Sequence, residues 1–145
     1  MHNLYTFGYT GLQPAEIFAA AARVDAMIAD IRYSPHSRHE QWNGRTLGRE
    51  WGSRYLHIGE LGNRNYKGEM GEGIMLASPQ LGSAIVLEQL RFRPVMLMCA
   101  CPNWETCHRR AAAEFIQQRD TGLTVVHLTA DTLRSLGGLQ QLSLF

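Results

Sequence analysis

All three cysteines of the chain, Cys99, Cys101 and Cys107, fall in one short stretch, with His108, Arg109 and Arg110 directly after the last. Two chemistries suit such a cluster. Thiolates and an imidazole are soft ligands for zinc, although the paired Cys-x-x-Cys knuckles of a zinc site are absent and Cys-x-Cys on a strand end points its sulfurs to opposite faces. The other chemistry is nucleophilic. A cysteine at a helix N-terminus beside histidine and arginine has a lowered pKa, and the thiolate is its reactive form. The bland alternative is packing: Cys99 as a small buried hydrophobe and Cys107 as a contact between helix and sheet.

The elements around this cluster read as strand, loop and helix. Val95 to Met98 is an apolar run of strand length, and Pro102 cannot continue a central strand because it has no N–H for the ladder. An Ala-rich helix begins near Cys107, with Thr106 as its predicted cap. Cys107, His108 and Arg109 then occupy the first turn, where free N–H groups favour an anion or a thiolate.

The rest of the chain repeats this alternation. Strands are predicted at Leu4 to Gly8, Met27 to Ile31, Tyr55 to Ile58 and Thr124 to Leu128, with helices from Pro14, around Thr46 to Trp51, and from Pro79 to about Leu90. Gly122 is expected to stop the helix that starts near Cys107. Alternating strands and helices predict a single α/β domain over residues 1–136, a mostly parallel sheet of about five strands with helices on both faces. Such sheets bind ligands beyond the carboxyl ends of their strands.

That rule gathers further candidates. Tyr9 and Thr10, Arg32, Ser34 and Arg38, Arg109 and His127 all follow or end a predicted strand, and are expected to hold a phosphate or substrate. Arginine forks match phosphate or carboxylate oxygens at two points. Cys107 and His108 are the expected nucleophile and acid–base pair, with Asp30 orienting a partner from its strand end. His57 and Thr129 share the same edge. His2, His36 and His39 are expected on the solvated surface.

Residues 32–54 hold five arginines against two acids, with Tyr33, Trp42 and Trp51 interleaved. Basic and aromatic side chains together suit a nucleic-acid surface, whereas the bland alternative buries the tryptophans in the core. Gly59, Gly62, Gly68, Gly71 and Gly73 mark a loop without the Gly-Lys-Ser/Thr of a phosphate loop, so a mobile flap is expected.

Composition narrows the class. The chain has 145 residues and a net charge of +1, with 45% hydrophobic and 19% charged residues, a globular balance without a strong field for DNA or membranes. No run is long enough to span a bilayer, and the N-terminus lacks the pattern of a signal peptide. Clustered free thiols fit the cytoplasm. No cofactor and no metal are expected.

Residues 137–145 form a separate tail, in which Gly137 and Gly138 precede an apolar peptide. Gln141, Leu142, Ser143, Leu144 and Phe145 resemble the Gln-Leu-Ser/Asp-Leu-Phe pentapeptide by which bacterial replication and repair proteins bind the DNA polymerase sliding clamp. The resemblance implies that clamp, the β subunit, as a partner. Docking of the tail on its own domain is the alternative.

The chain up to about Thr129 resembles the DUF488 family. The resemblance rests on Thr6 to Thr10, Asp30-Ile31-Arg32 with Pro35 and Ser37, Leu61-Gly62, Cys99-Ala100, Cys107-His108-Arg109, and His127. One position departs from the family, which usually has Glu after Cys-Ala where this chain has Cys101. The resemblance implies a compact α/β fold and no established reaction. The combined expectation is an enzyme, most broadly a hydrolase, acting on nucleic acid or a nucleotide and recruited to the clamp in replication or repair. A non-enzymatic nucleotide- or DNA-binding adaptor and a thiol or zinc module are the alternatives.

Overall fold

A computed structural model describes residues 2–138. Five strands, β1 (Leu4–Gly8), β2 (Met27–Asp30), β3 (Tyr55–His57), β4 (Val95–Cys99) and β5 (Val125–His127), form one parallel sheet in the order β3-β2-β4-β1-β5. The helices are α1 (Pro14–Val24), α2 (Gly44–Trp51), α3 (Pro79–Leu90), α4 (His108–Arg119) and α5 (Ala130–Leu136). No described helix is long and apolar enough to cross a membrane.

The period-two alternation of β4 sorts the core into two layers. Val95, Leu97 and Cys99 pack with Val86 and Leu90 of α3 and with Ala112, Ala113 and Ile116 of α4. Met96 and Met98 pack on the opposite face with Ile17, Ala20 and Ala21 of α1, Leu47 and Trp51 of α2, and Leu133 of α5. All five β4 residues are buried, as a central parallel strand requires.

This topology places the crevice. The helix after β4 lies on one face, whereas the helices that follow β1 and β2 lie on the other. The chain therefore diverges at the carboxyl end of β4, between its neighbours β1 and β2, the arrangement that opens ligand sites in parallel sheets.

Two boundaries differ from the sequence expectation. Helix α4 begins at His108, with Cys107 as its N-cap, and Thr106 supplies no cap hydrogen bond. A tighter 3-10 turn, Trp104–Thr106, takes up Thr106, and the Asn103 side chain caps that turn by accepting the Glu105 N–H. At its other end α4 stops at Arg119, three residues before Gly122. Helix α5 has no counterpart in the sequence expectation; Thr129 and Thr132 cap it reciprocally.

The glycine-rich loop is tied internally. Asn65 is buried, donates to the carbonyls of Gly71 and Gly73 (2.8 and 2.9 Å), and accepts from Met70 N–H. Asn63 accepts from the N–H groups of Asn65 and Met75. Two asparagines thus replace the missing secondary structure over this segment.

Candidate functional site

A cleft of about 370 Å³ opens at the carboxyl edge of the sheet. On one side it is lined by Cys99, Cys101, Cys107 and His108, and on the other by Tyr9, Arg32, Tyr33 and Ser34. Tyr66 and Ile74 from the glycine-rich loop close its rim. The strands and helices that diverge around β4 position both walls.

The thiol wall is built from β4 and α4. Cys99 ends β4 and is fully buried, and Cys107 caps α4 with 6% exposure. Their sulfurs lie 2.9 Å apart. Cys107 Sγ also lies 3.7 Å from His108 Nδ1. The hydrogen bond from Cys99 pulls the Cys107 pKa well below the ordinary thiol value, against the opposing effect of burial, and His108 and the Arg109 N–H add to it. Cys99 moves the other way: sharing the proton with Cys107 and burial both push it up. The pair is therefore a thiol donating to a thiolate, with the negative charge on Cys107.

His108 is held in one orientation. Its Nε2 lies 2.9 Å from the Ile31 carbonyl oxygen. A carbonyl can only accept, so Nε2 carries a hydrogen, and Nδ1 faces the Cys107 sulfur, where a proton held on Nδ1 is donated to the thiolate. His57 repeats the device at the neighbouring strand end, with Nε2 2.8 Å from the Arg32 carbonyl oxygen.

The arginine wall centres on Arg32. Its Nε and Nη2 donate to the two oxygens of Asp30 at 2.9 and 2.6 Å, and Tyr55 Oη donates to the same carboxylate at 2.7 Å. Burial works against the Arg32 charge, but the Asp30 bonds and charge outweigh it, and its pKa is raised. Burial and the Asp30 charge raise the Tyr55 pKa too. Nη1 is left toward Tyr9, whose hydroxyl is 3.5 Å away. The Arg32 guanidinium also sits 5.3 Å from the centre of the Tyr9 ring, which itself stacks on Trp42 at 4.2 Å. Asp30 is fully buried and spends its oxygens on Arg32 and Tyr55, so it is a positioning residue.

Other predicted residues lie outside the cleft. Thr10 donates to the Ala100 carbonyl at 2.6 Å, tying the β1 loop to the thiol loop. Arg38 is exposed and lines no part of this cleft. His127 accepts or donates at Thr6 Oγ1 (2.6 Å) and stacks on Trp104 at 4.1 Å. Burial, then the charges of Arg109 and Arg110, lower its pKa.

Arg109 is fully buried, and Nη2 donates to the Pro102 carbonyl at 3.1 Å while Nε and Nη1 have no protein partner. It supports the thiol loop from beneath and brings a positive charge to Cys99. The two tryptophans of residues 32–54 are buried, as the packing alternative holds. Gln141 to Phe145 lie outside the described residues.

Several lining residues had no signal of their own in the sequence. His36, expected on the surface, is exposed and borders both this cleft and a neighbouring one of about 500 Å³ lined by Arg45, Tyr55 and His57. Tyr66 and Asn63 enter through the loop, with Tyr66 6.2 Å from Tyr33 in a tilted ring pair. Among the described residues, no three His, Cys, Asp or Glu side chains are disposed to share a metal ion.

Gly8 carries the thiol loop. A Cβ there would lie 1.8 Å from the Cys101 carbonyl oxygen, so the loop backbone can cross β1 only over glycine.

Residues 19–116 match the family model described as Domain of unknown function DUF488. The chain belongs to the DUF488 family. The matched span includes β2, β3, β4 and the start of α4, hence both walls of the cleft apart from Tyr9. No curated protein and no solved structure matches the chain. Cys101 is half-buried on the cleft wall and its sulfur donates to the Asn103 carbonyl at 3.4 Å.

Proposed function

We propose that this DUF488 protein is a cysteine-dependent enzyme acting on a nucleotide or on nucleic acid. One observation carries the reading: the Cys107–His108 pair and the Arg32 fork open on the same cleft. The Cys107 thiolate is the nucleophile. His108, held through Nε2, takes a proton at Nδ1 when Cys107 is protonated and returns it to the leaving group. Arg32, fixed on two sides by Asp30, offers Nη1 to a phosphate oxygen. Tyr33 and Tyr66, both exposed at the rim, offer ring faces to a base. Asp30 and Tyr55 position Arg32 and touch no substrate.

The test is turnover of mononucleotides and single-stranded oligonucleotides by the full chain and by Cys107→Ser, with calorimetric binding alongside. Turnover by the native chain, lost in the variant with binding retained, supports the enzyme. Binding without turnover in either favours the adaptor. Neither binding nor turnover removes the nucleotide reading.

We further propose that Gln141 to Phe145 bind a bacterial sliding clamp and bring the domain to replicating or damaged DNA. Support comes from the pentapeptide alone. Calorimetry with the clamp, using the full chain and a chain lacking Leu144 and Phe145, decides it. Binding abolished by the truncation is expected, and no binding by the full chain refutes it.

A further inference from the structure

Attack on a substrate needs one nucleophilic sulfur, yet this cleft holds two in contact. Cys99 Sγ and Cys107 Sγ are 2.9 Å apart, and both residues line the cleft. A disulfide needs its sulfurs at about 2.0 Å, so closing the bond asks for a displacement of about 1 Å. The third thiol is placed differently, with Cys101 Sγ donating to the Asn103 carbonyl at 3.4 Å.

We propose that Cys107 is oxidised by hydroperoxides and that Cys99 resolves the product, giving a reversible Cys99–Cys107 disulfide within the chain. In the first step the Cys107 thiolate attacks the terminal oxygen of R–O–O–H. The S–O bond forms, the O–O bond breaks, and the alkoxide leaves with a proton from solvent. Cys107 is then a sulfenic acid. In the second step Cys99 loses its proton as its sulfur attacks Cys107. The S–S bond forms, the S–O bond breaks, and hydroxide leaves with that proton as water. Two thiols are oxidised and one hydroperoxide is reduced to an alcohol and water.

Three features favour this course. Cys107 has the thiolate character that peroxide requires, and at 6% exposure it admits a small oxidant more readily than a large disulfide. Cys99 Sγ already touches Cys107 Sγ, so the resolving sulfur needs no search. The hydrogen bonds that stabilise the reduced pair are lost on oxidation, which makes the disulfide easy to reduce again. While oxidised, Cys107 is withdrawn from substrate chemistry. The inference shares Cys107 with the enzyme reading above but needs no substrate for its read-out.

The experiment is titration of the full chain with hydrogen peroxide, followed by intact mass under non-reducing conditions and cleavage after Glu105, which separates Cys107 from the other two thiols. A species lighter by the two thiol hydrogens, whose fragments stay joined until dithiothreitol is added, is expected. Cys101→Ser should form it unchanged. Cys99→Ser should instead accumulate sulfinic acid at Cys107. Loss of the linkage in Cys101→Ser, or direct over-oxidation of the native chain without a linked species, overturns the proposal.

Discussion

His108 Nε2 lies 2.9 Å from the carbonyl oxygen of Ile31, 77 residues away in sequence. That contact joins the start of α4 to the end of β2 and leaves Nδ1 facing Cys107. Replacing His108 with Ala removes one of the groups that hold Cys107 ionised. The expected result is an upward shift of the Cys107 pKa by about one unit, roughly a tenfold loss of thiolate at a pH below both values. The pH midpoints of Cys107 alkylation in the two proteins measure it.

Asp30 and Arg32 form a buried pair that leaves each partner without water to replace the other. Asp30→Ala strands the guanidinium and is expected to destabilise the fold by about 3 to 5 kcal/mol. Tyr55→Phe removes one hydrogen bond to the same carboxylate and is expected to cost about 1 to 3 kcal/mol. Urea unfolding of both variants should rank them in that order.

Gly8→Ala forces the Cys101–Pro102 backbone away from β1. Because this loop leads from Cys99 toward Cys107, the two sulfurs should separate and Cys107 should lose its hydrogen bond. The expected signature is a higher pH midpoint of Cys107 alkylation in protein whose circular dichroism remains native. Unchanged alkylation would mean that the loop does not set the thiol spacing.

His127 feels the charges of Arg109 and Arg110 in addition to burial. Removing a cation makes protonation of the ring easier, so Arg110→Gln should raise the His127 pKa. Arg109→Met should raise it more, since the Arg109 charge is the larger influence. Nuclear magnetic resonance titration of the His127 ring follows both.

The fold was readable because its signals are local. Apolar runs of strand length, Pro14 and Pro79 at helix starts, and glycine clusters between them fix five strands and four of the helices. Helix α5 escaped because seven residues carry little periodicity. Arg109 is more instructive. With Ala112, Ala113 and Ile116 it falls at helical spacing on the buried face of α4, but its charge suggests a ligand contact. Periodicity was the better guide to its burial. The site was readable only by edge: strand ends gathered Tyr9, Arg32, Ser34, Cys107 and His108. The contact between Cys99 and Cys107, the Ile31 bond to His108, and the entry of Tyr66 depend on how a loop crosses Gly8 and how Asn65 folds its own segment. Those are tertiary facts with no sequence period.

The most direct measurement of the central claim is the pH dependence of Cys107 alkylation by iodoacetamide in the full chain, read site by site by mass spectrometry. A lowered pKa keeps Cys107 ionised at neutral pH, with reactivity lost only as the pH falls through the folded value. The predicted profile is flat through neutrality, with its midpoint far below the ordinary thiol value of about 8.5. A midpoint at or above that value would mean that Cys107 is an ordinary buried thiol, and would contradict its role as the nucleophile.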